Sequence, residues 1–230
     1  MSSFVTVGRK IVAIGRNYRD HALELGNKIP TAPFFFLKPT SSYVTPPNPI
    51  EIPGGCTVHH EVELGVVIGK DGRNIAASQA WDYVSGYTLA LDLTARNMQD
   101  DAKKKGLPWS ASKGFDTFTP IGAFLEKSSI PDPHQVRLWC DVDGTSRQDG
   151  WTSDMMFQIP QLIEHVSSIM ALQTGDLLLT GTPKGVGPIG VGQTIRAGLG
   201  FKSPDGKYQD LSTMEFPVIA KPGNFYYRGS

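Results

Sequence analysis

The chain is 230 residues long, a length that fits one large domain or two small ones. Its 22 basic residues equal its 22 acidic ones, so there is no basic excess for nucleic acid or anionic lipid to exploit, and neither is expected as a partner. Hydrophobic residues make up 40%, too many for a disordered chain, yet no run of about 18 apolar residues offers a membrane span. The 25 glycines and 17 prolines exceed ordinary usage of roughly 7% and 5%, which points to short strands and many turns rather than a helical bundle. With only Cys56 and Cys140, a disulfide framework is not expected and a reducing intracellular compartment is the default.

Met1 to Lys10 holds two basic residues, two serines and no acid. That composition is similar to a mitochondrial presequence, against the plainer expectation of an N-terminal strand. The mitochondrial matrix or the cytoplasm is the expected location. Ile11 to Ile14 is a short apolar run ending at Gly15, a strand. Asp20 then caps a short helix with His21 and Glu24, stopped by Gly26. Phe34 to Leu37 is brief and aromatic, and the proline-rich stretch from Pro39 to Gly55 reads as loop or edge. Val58 to Ile68 reads as one strand, Ala76 to Val84 as a helix, Gly86 to Leu93 as a strand, and Thr94 to Lys105 as a helix ending at Gly106. Val136 to Val142 leads into an Asp143-Gly144 hairpin turn. Phe157 to Ala171 has helical periodicity, and Asp176 to Thr180 is a strand entering a glycine-rich loop, Gly181 to Pro188. Asn224 to Ser230 reads as a flexible tail. Strands outnumber helices, so the class is α+β. The whole chain, 1–230, is expected to be one catalytic domain with its core over about 10–216.

On a strand, Glu61 and Glu63 project to the same face and repel each other, so solvent, a proton or a cation must neutralise them. Asp92 interrupts an apolar strand just before a helix, where it is either an N-cap or a ligand. If the two strands are neighbours, Glu61, Glu63 and Asp92 form an all-oxygen set suited to Mg²⁺, then Mn²⁺ or Ca²⁺. A solvated polar face remains the alternative, and His59 and His60 keep zinc arguable. Lys113 lies among small and apolar residues with no adjacent acid; it either orients an anion or reaches solvent. Lys103-Lys104-Lys105 reads as a solvated helix end. His21 and Glu24, three apart on a helix, can share a proton and activate water, or form a surface pair. The Gly181 to Gly187 loop lacks the P-loop pattern. Neither cysteine has an activating neighbour, and His134 and His165 read as structural.

Five stretches together resemble the fumarylacetoacetate hydrolase family: Gly15-Arg16-Asn17-Tyr18, His59 to Gly65, Leu91 to Arg96, Lys103 to Trp109, and Leu179 to Gly187. They span about Lys10 to Phe216 and come nearest the small acylpyruvase and oxaloacetate decarboxylase branch. The resemblance implies a mixed β-sandwich roll with short peripheral helices, a homodimer, and Mg²⁺ or Mn²⁺ held by Glu61, Glu63 and Asp92. It implies a lid with a His21–Glu24 dyad, and substrate-facing Lys113, Gln99 and Thr182. Arg16 joins the substrate-binding candidates, and Arg96 carries no assigned role. Gly114 follows Lys113 where relatives more often have Ser.

Small 2-oxo acids such as oxaloacetate, acetylpyruvate and fumarylpyruvate are the implied substrates. Cleavage between carbons 3 and 4 leaves the enolate of pyruvate, with the divalent ion facing the developing charge. Acylpyruvates need water activated by His21–Glu24, whereas oxaloacetate loses CO₂ without one. Three carboxylates and one divalent ion sum to about −1, which Lys113 offsets. An oxaloacetate keto–enol tautomerase is one alternative, and a non-catalytic, metal-stabilised anion-binding protein is another.

Overall fold

The computed structural model describes residues 4–24, 26, 28–203 and 206–229. A helical turn, α1 (Phe4–Val7), precedes strand β1 (Ile11–Gly15), helix α2 (Arg19–Glu24) and strand β2 (Phe34–Lys38). Two short strands follow, β3 (Tyr43–Val44) and β4 (Ile50–Ile52). Next come β5 (Val58–His60), β6 (Val62–Ile68), β7 (Val84–Leu91), β8 (Thr94–Ala95), and the helices α3 (Arg96–Lys105) and α4 (Ser110–Lys113). The second half supplies β9 (Thr119–Glu126), β10 (Arg137–Val142), β11 (Thr145–Trp151) and α5 (Ile159–Ile169). It ends with β12 (Leu177–Leu179), β13 (Gly187–Ile189), β14 (Thr194–Lys202) and β15 (Tyr208–Ala220).

A seven-stranded mixed sheet runs β2-β1-β12-β6-β7-β9-β3, and a five-stranded sheet runs β11-β10-β14-β15-β4. A small third sheet, β13-β5-β8, sits beside them. Strand β6 is buried along its whole length, and its two parities serve different layers. Val62, Leu64, Val66 and Ile68 pack with Leu138, Cys140, Ile195, Leu199 and Phe216 of the five-stranded sheet, which makes the sandwich. Val67 packs on the opposite face with Phe4, Ile11, Ala13, Leu177 and Leu179. A strand covered on both faces reads as a nearly continuous apolar run, which is why β6 and β12 show little alternation. Each such side chain contributes about 1.5–3 kcal/mol on full burial. This is the expected α+β sandwich with short peripheral helices.

Several expectations are corrected. Val58 to Ile68 is two strands: β5 pairs with β13 and β8, whereas β6 pairs with β12 and β7, so the chain changes sheets at Glu61. Ala77–Tyr83 is a 3-10 helix rather than an α-helix. Thr94 and Ala95 join a ladder, so α3 starts only at Arg96. Helix α2 starts at Arg19, placing Asp20 inside its first turn rather than at the cap. At the N-terminus Phe4–Val7 is helical rather than a strand, with Phe4 buried against Tyr43 and Phe124; Met1 to Ser3 lie outside the described residues. The expected flexible tail is docked through Phe225 to Tyr227: the Tyr227 N–H donates to the Gly54 carbonyl at 2.8 Å, and Phe225 packs edge to face on Phe115. Ser230 lies outside the described residues.

Candidate active site

The ladder between β6 and β7 sets Val62 opposite Leu91 and Glu63 opposite Ala90. One step further, the Asp92 N–H donates to the Glu61 carbonyl at 2.8 Å. Residues two apart on paired strands share a face, so Glu61, Glu63 and Asp92 converge there. One oxygen from each lies within 4.8 Å of the others, and all three residues are buried.

Three cations enclose these carboxylates. Lys113 Nζ donates to Glu61 Oε2 at 2.9 Å and to Asp92 Oδ2 at 2.6 Å. Lys38 Nζ donates to Asp92 Oδ1 at 2.5 Å and to the Phe118 carbonyl at 2.6 Å. Arg96 Nη2 donates to Glu61 Oε1 at 2.5 Å. Lys113 therefore does not reach solvent: it is 2% exposed and packs 4.9 Å over the Phe36 ring. The expected balance near −1 is also corrected, because Lys38 and Arg96 add charge that their sequence neighbours do not reveal.

The carboxylates titrate in opposite directions. Burial alone would raise Glu61, but the Lys113 and Arg96 charges overcome it and hold that carboxyl well below the usual range. Burial and the adjacent Asp92 and Glu61 push Glu63 well above that range. Burial lowers Lys38 despite Asp92, whereas Asp92 and Glu61 outweigh burial and raise Lys113. The donor set fits a hard divalent cation. It is all oxygen, it carries like charges that repel, and Glu61 Oε2 and the Glu63 and Asp92 oxygens keep free lone pairs, while Glu61 Oε1 already accepts from Arg96 and Thr94. Zinc is not favoured: His60 Nδ1 is bonded to Gln148 at 2.9 Å, and His59, lowered to about 4 mainly by burial, stands outside the cluster.

The three carboxylates, Arg96 and Lys113 open onto a small cleft that is also lined by Arg16, His21, Gln99, Lys103, Trp109 and Thr182. Arg16 holds a positive φ of 56° and lies 5.4 Å from the centre of the Phe34 ring. Gln99 is buried, and its Oε1 accepts from Arg96 Nη1 at 2.7 Å. Thr182 Oγ1 donates to the Val62 carbonyl at 2.8 Å. Lys103, expected in solvent, faces the cleft over Trp109 and bonds Asp100 at 3.3 Å. His21 is buried, and desolvation lowers its imidazole below the ordinary value despite Glu61 and Glu24 nearby.

Of the nine residues singled out from the sequence, only Glu24 lies off the cleft. Its carboxylate accepts the Gly185 N–H at 3.1 Å and stands 3.7 Å from His21 Nδ1, so the dyad is adjacent but not hydrogen-bonded. The glycine-rich loop spends its amides on carboxylates, Gly181 on Glu63 at 2.7 Å and Gly185 on Glu24. Burial pushes the thiol of Cys56 up to about 11 and raises that of Cys140 further, so neither is an activated nucleophile. Lys38 and the buried Gln148 were not singled out; Lys38 closes an aromatic strand, and a lysine there carries no local signal of burial.

The sequence model described as "Fumarylacetoacetate (FAA) hydrolase C-terminal" matches residues 10–222. The "Oxaloacetate decarboxylase, mitochondrial" of Dictyostelium discoideum is 55% identical over 226 residues, covering 97% of this chain and 100% of that protein. The "Oxaloacetate tautomerase FAHD1, mitochondrial" of Homo sapiens is 48% identical over 200 residues, covering 86% of this chain and 90% of that protein. Among solved structures, the fumarylpyruvate hydrolase of Pseudomonas aeruginosa in complex with Mn²⁺ and pyruvate superposes with a TM-score of 0.84. It has 31% identity and covers 93% of this chain and 91% of that one. With the fold, the carboxylate cluster and these matches in agreement, the chain belongs to the fumarylacetoacetate hydrolase family.

Proposed function

We propose that the protein is a divalent-metal-dependent enzyme of oxaloacetate, moving a proton between its keto and enol forms. The observation that carries this reading is a buried all-oxygen donor set facing a cleft that also contains the buried His21 imidazole. Glu61, Glu63 and Asp92 would hold Mg²⁺ or Mn²⁺. When bound, the cation supplies Lewis acidity toward the 2-oxo acid. Three side-chain carboxylates converge among the described residues, fewer than the six ligands a hard cation takes. That count favours a catalytic site with open positions over a closed, purely structural one.

The chain's own groups divide the remaining work. Arg16 and Gln99 orient the substrate carboxylates, while Phe36 and Trp109 exclude water from the cleft. His21 takes a proton from carbon 3, the Lys113 ammonium faces the charge that develops on the carbon-2 oxygen, and the proton returns to that oxygen as the enol. Decarboxylation to pyruvate is a second reading, supported by the name of the Dictyostelium relative; it uses the same cations but needs no base at carbon 3. Acylpyruvate hydrolysis, with acetylpyruvate or fumarylpyruvate as substrate, requires water activated by His21 with Glu24. It ranks below the other two because Glu24 is engaged with Gly185. The mitochondrial names of the relatives support the mitochondrial matrix as the location, and the resemblance supports a homodimer.

Proton NMR of oxaloacetate with metal-stripped protein, before and after adding Mg²⁺ and against protein-free Mg²⁺, tests the reading. Faster keto–enol exchange is expected; pyruvate formation above the control without faster exchange would transfer the assignment to decarboxylation. Glu63→Gln is expected to abolish both Mn²⁺ binding in calorimetry and turnover, and retained binding would refute the ligand set.

A further inference from the structure

Strand β11 contributes one fully buried side chain, Gln148, on an otherwise exposed or half-buried strand. The ladder to β10 shifts between Cys140 and Asp141, with Cys140 opposite Gln148 and Asp141 opposite Ser146. Arg147 is the extra residue of this bulge, and bulges re-aim the side chains beside them. The Gln148 amide uses its full capacity. Oε1 accepts the Val62 N–H at 3.0 Å and faces His60 Nδ1 at 2.9 Å. Nε2 donates to the Pro183 carbonyl and to Thr182 Oγ1, each at 2.8 Å.

Backbone groups leave no freedom in this assignment. Val62 N–H can only donate and the Pro183 carbonyl can only accept, so a flipped amide would make two repulsive contacts. His60 must then carry its proton on Nδ1. Thr182 receives an N–H from Gln148, and the Val62 carbonyl can only accept, so the hydroxyl proton is committed to that carbonyl. A hydroxyl has one proton and two lone pairs; one lone pair of Thr182 Oγ1 remains for the cleft that Thr182 lines.

We infer that Gln148 is a positioning residue that makes Thr182 an acceptor rather than a donor toward the substrate. Thr182 then meets a ligand O–H, such as that of an enol, or a bound water. The same amide ties the Val62 peptide, between Glu61 and Glu63, to the Thr182 loop, so one side chain registers two walls of the cleft. This inference rests on the cleft being the active site proposed above.

The first test is the His60 tautomer in the intact wild-type protein, read from long-range ¹H–¹⁵N correlation of its ring. A proton on Nδ1 is expected; a proton on Nε2 overturns the assignment whatever the enzyme's activity. The second is a double-mutant cycle on oxaloacetate turnover. Gln148→Glu keeps the acceptor for Val62 and removes both N–H donors, and Gln148→Met removes the whole set. Each is expected to lower kcat/KM by about tenfold or more, and by less than about twofold in a Thr182→Val background. Losses that multiply across the cycle, or wild-type turnover in either Gln148 variant, overturn the inference. Absence of oxaloacetate turnover in the wild type refutes the functional reading instead, and the tautomer still judges the relay. If neither Gln148 variant folds, the tautomer decides.

Discussion

Lys38 shows how much one side chain contributes when it is buried beside a carboxylate. Removing one partner of a buried ion pair costs about 3–5 kcal/mol, because the other charge is left without compensation. Lys38→Met leaves Asp92 with Lys113 alone among the lysines, so Tm should fall by on the order of 10 °C. Saturating Mg²⁺ should then raise the variant's Tm more than the wild type's, because the cation replaces the missing charge. Equal metal-induced shifts in the two melts would contradict this. His21 carries a pH prediction. Desolvation holds its imidazole below the ordinary histidine value, so the neutral, proton-accepting form persists as pH falls. The acid limb of the kcat/KM profile should therefore have its midpoint below about pH 6.5. A midpoint above 6.5 would mean that the base is raised, not lowered.

Helix α2 is latched to the glycine-rich loop by Glu24 on the Gly185 N–H and by Lys184 on Asp20 at 3.1 Å. Gly185 has a φ of +92°, and an added Cβ would lie 2.1 Å from the Arg147 carbonyl. Gly185→Ala thus forces the loop off β11 and costs about 1–3 kcal/mol in backbone strain alone. Hydrogen exchange across Arg19 to Glu24 should accelerate in that variant while β6 keeps its protection; unchanged exchange at α2 would remove the latch. Local pattern made many elements legible. Helix α5 follows its periodicity, and Asp143-Gly144 has the positive φ values, 52° and 74°, of the expected hairpin turn. Strands β14 and β15 differ in how they show in the sequence: Gly198 and Gly200 interrupt the pattern of β14, whereas β15 alternates, with Met214, Phe216 and Val218 inward.

The chain has no net charge, and a compact set of its charges lies inside it: Lys38, Arg96 and Lys113 pair with Glu61 and Asp92, with the buried Glu63 beside them. The C-terminal segment docks on Gly54, Phe115 and α3. Phe225 meets Phe115 edge to face with ring centres 5.2 Å apart, and the Tyr227 hydroxyl donates to Asp101 on α3. Truncation after Gly223 should cost on the order of 2 kcal/mol, from one aromatic pair and its neighbouring hydrogen bonds, and lower Tm by about 5 °C. A truncated chain that melts with the intact protein would show the segment to be an appendage.

The Glu61 and Glu63 spacing, the acid interrupting an apolar strand at Asp92, and the short apolar runs of β1, β6, β7 and β12 are local properties, readable along one line of residues. Their convergence is not local. Lys38 and Asp92 are 54 residues apart in the chain, and Lys113 and Glu61 are 52 apart. Lys38 ends β2 and Lys113 ends α4, so the packing of these elements beside the large sheet brings the pairs together, and no short motif encodes that packing. Gln148 is the sharpest case. A glutamine on a polar strand looks solvent-exposed until a bulge turns it inward, where four hydrogen-bonding groups from two distant segments await it.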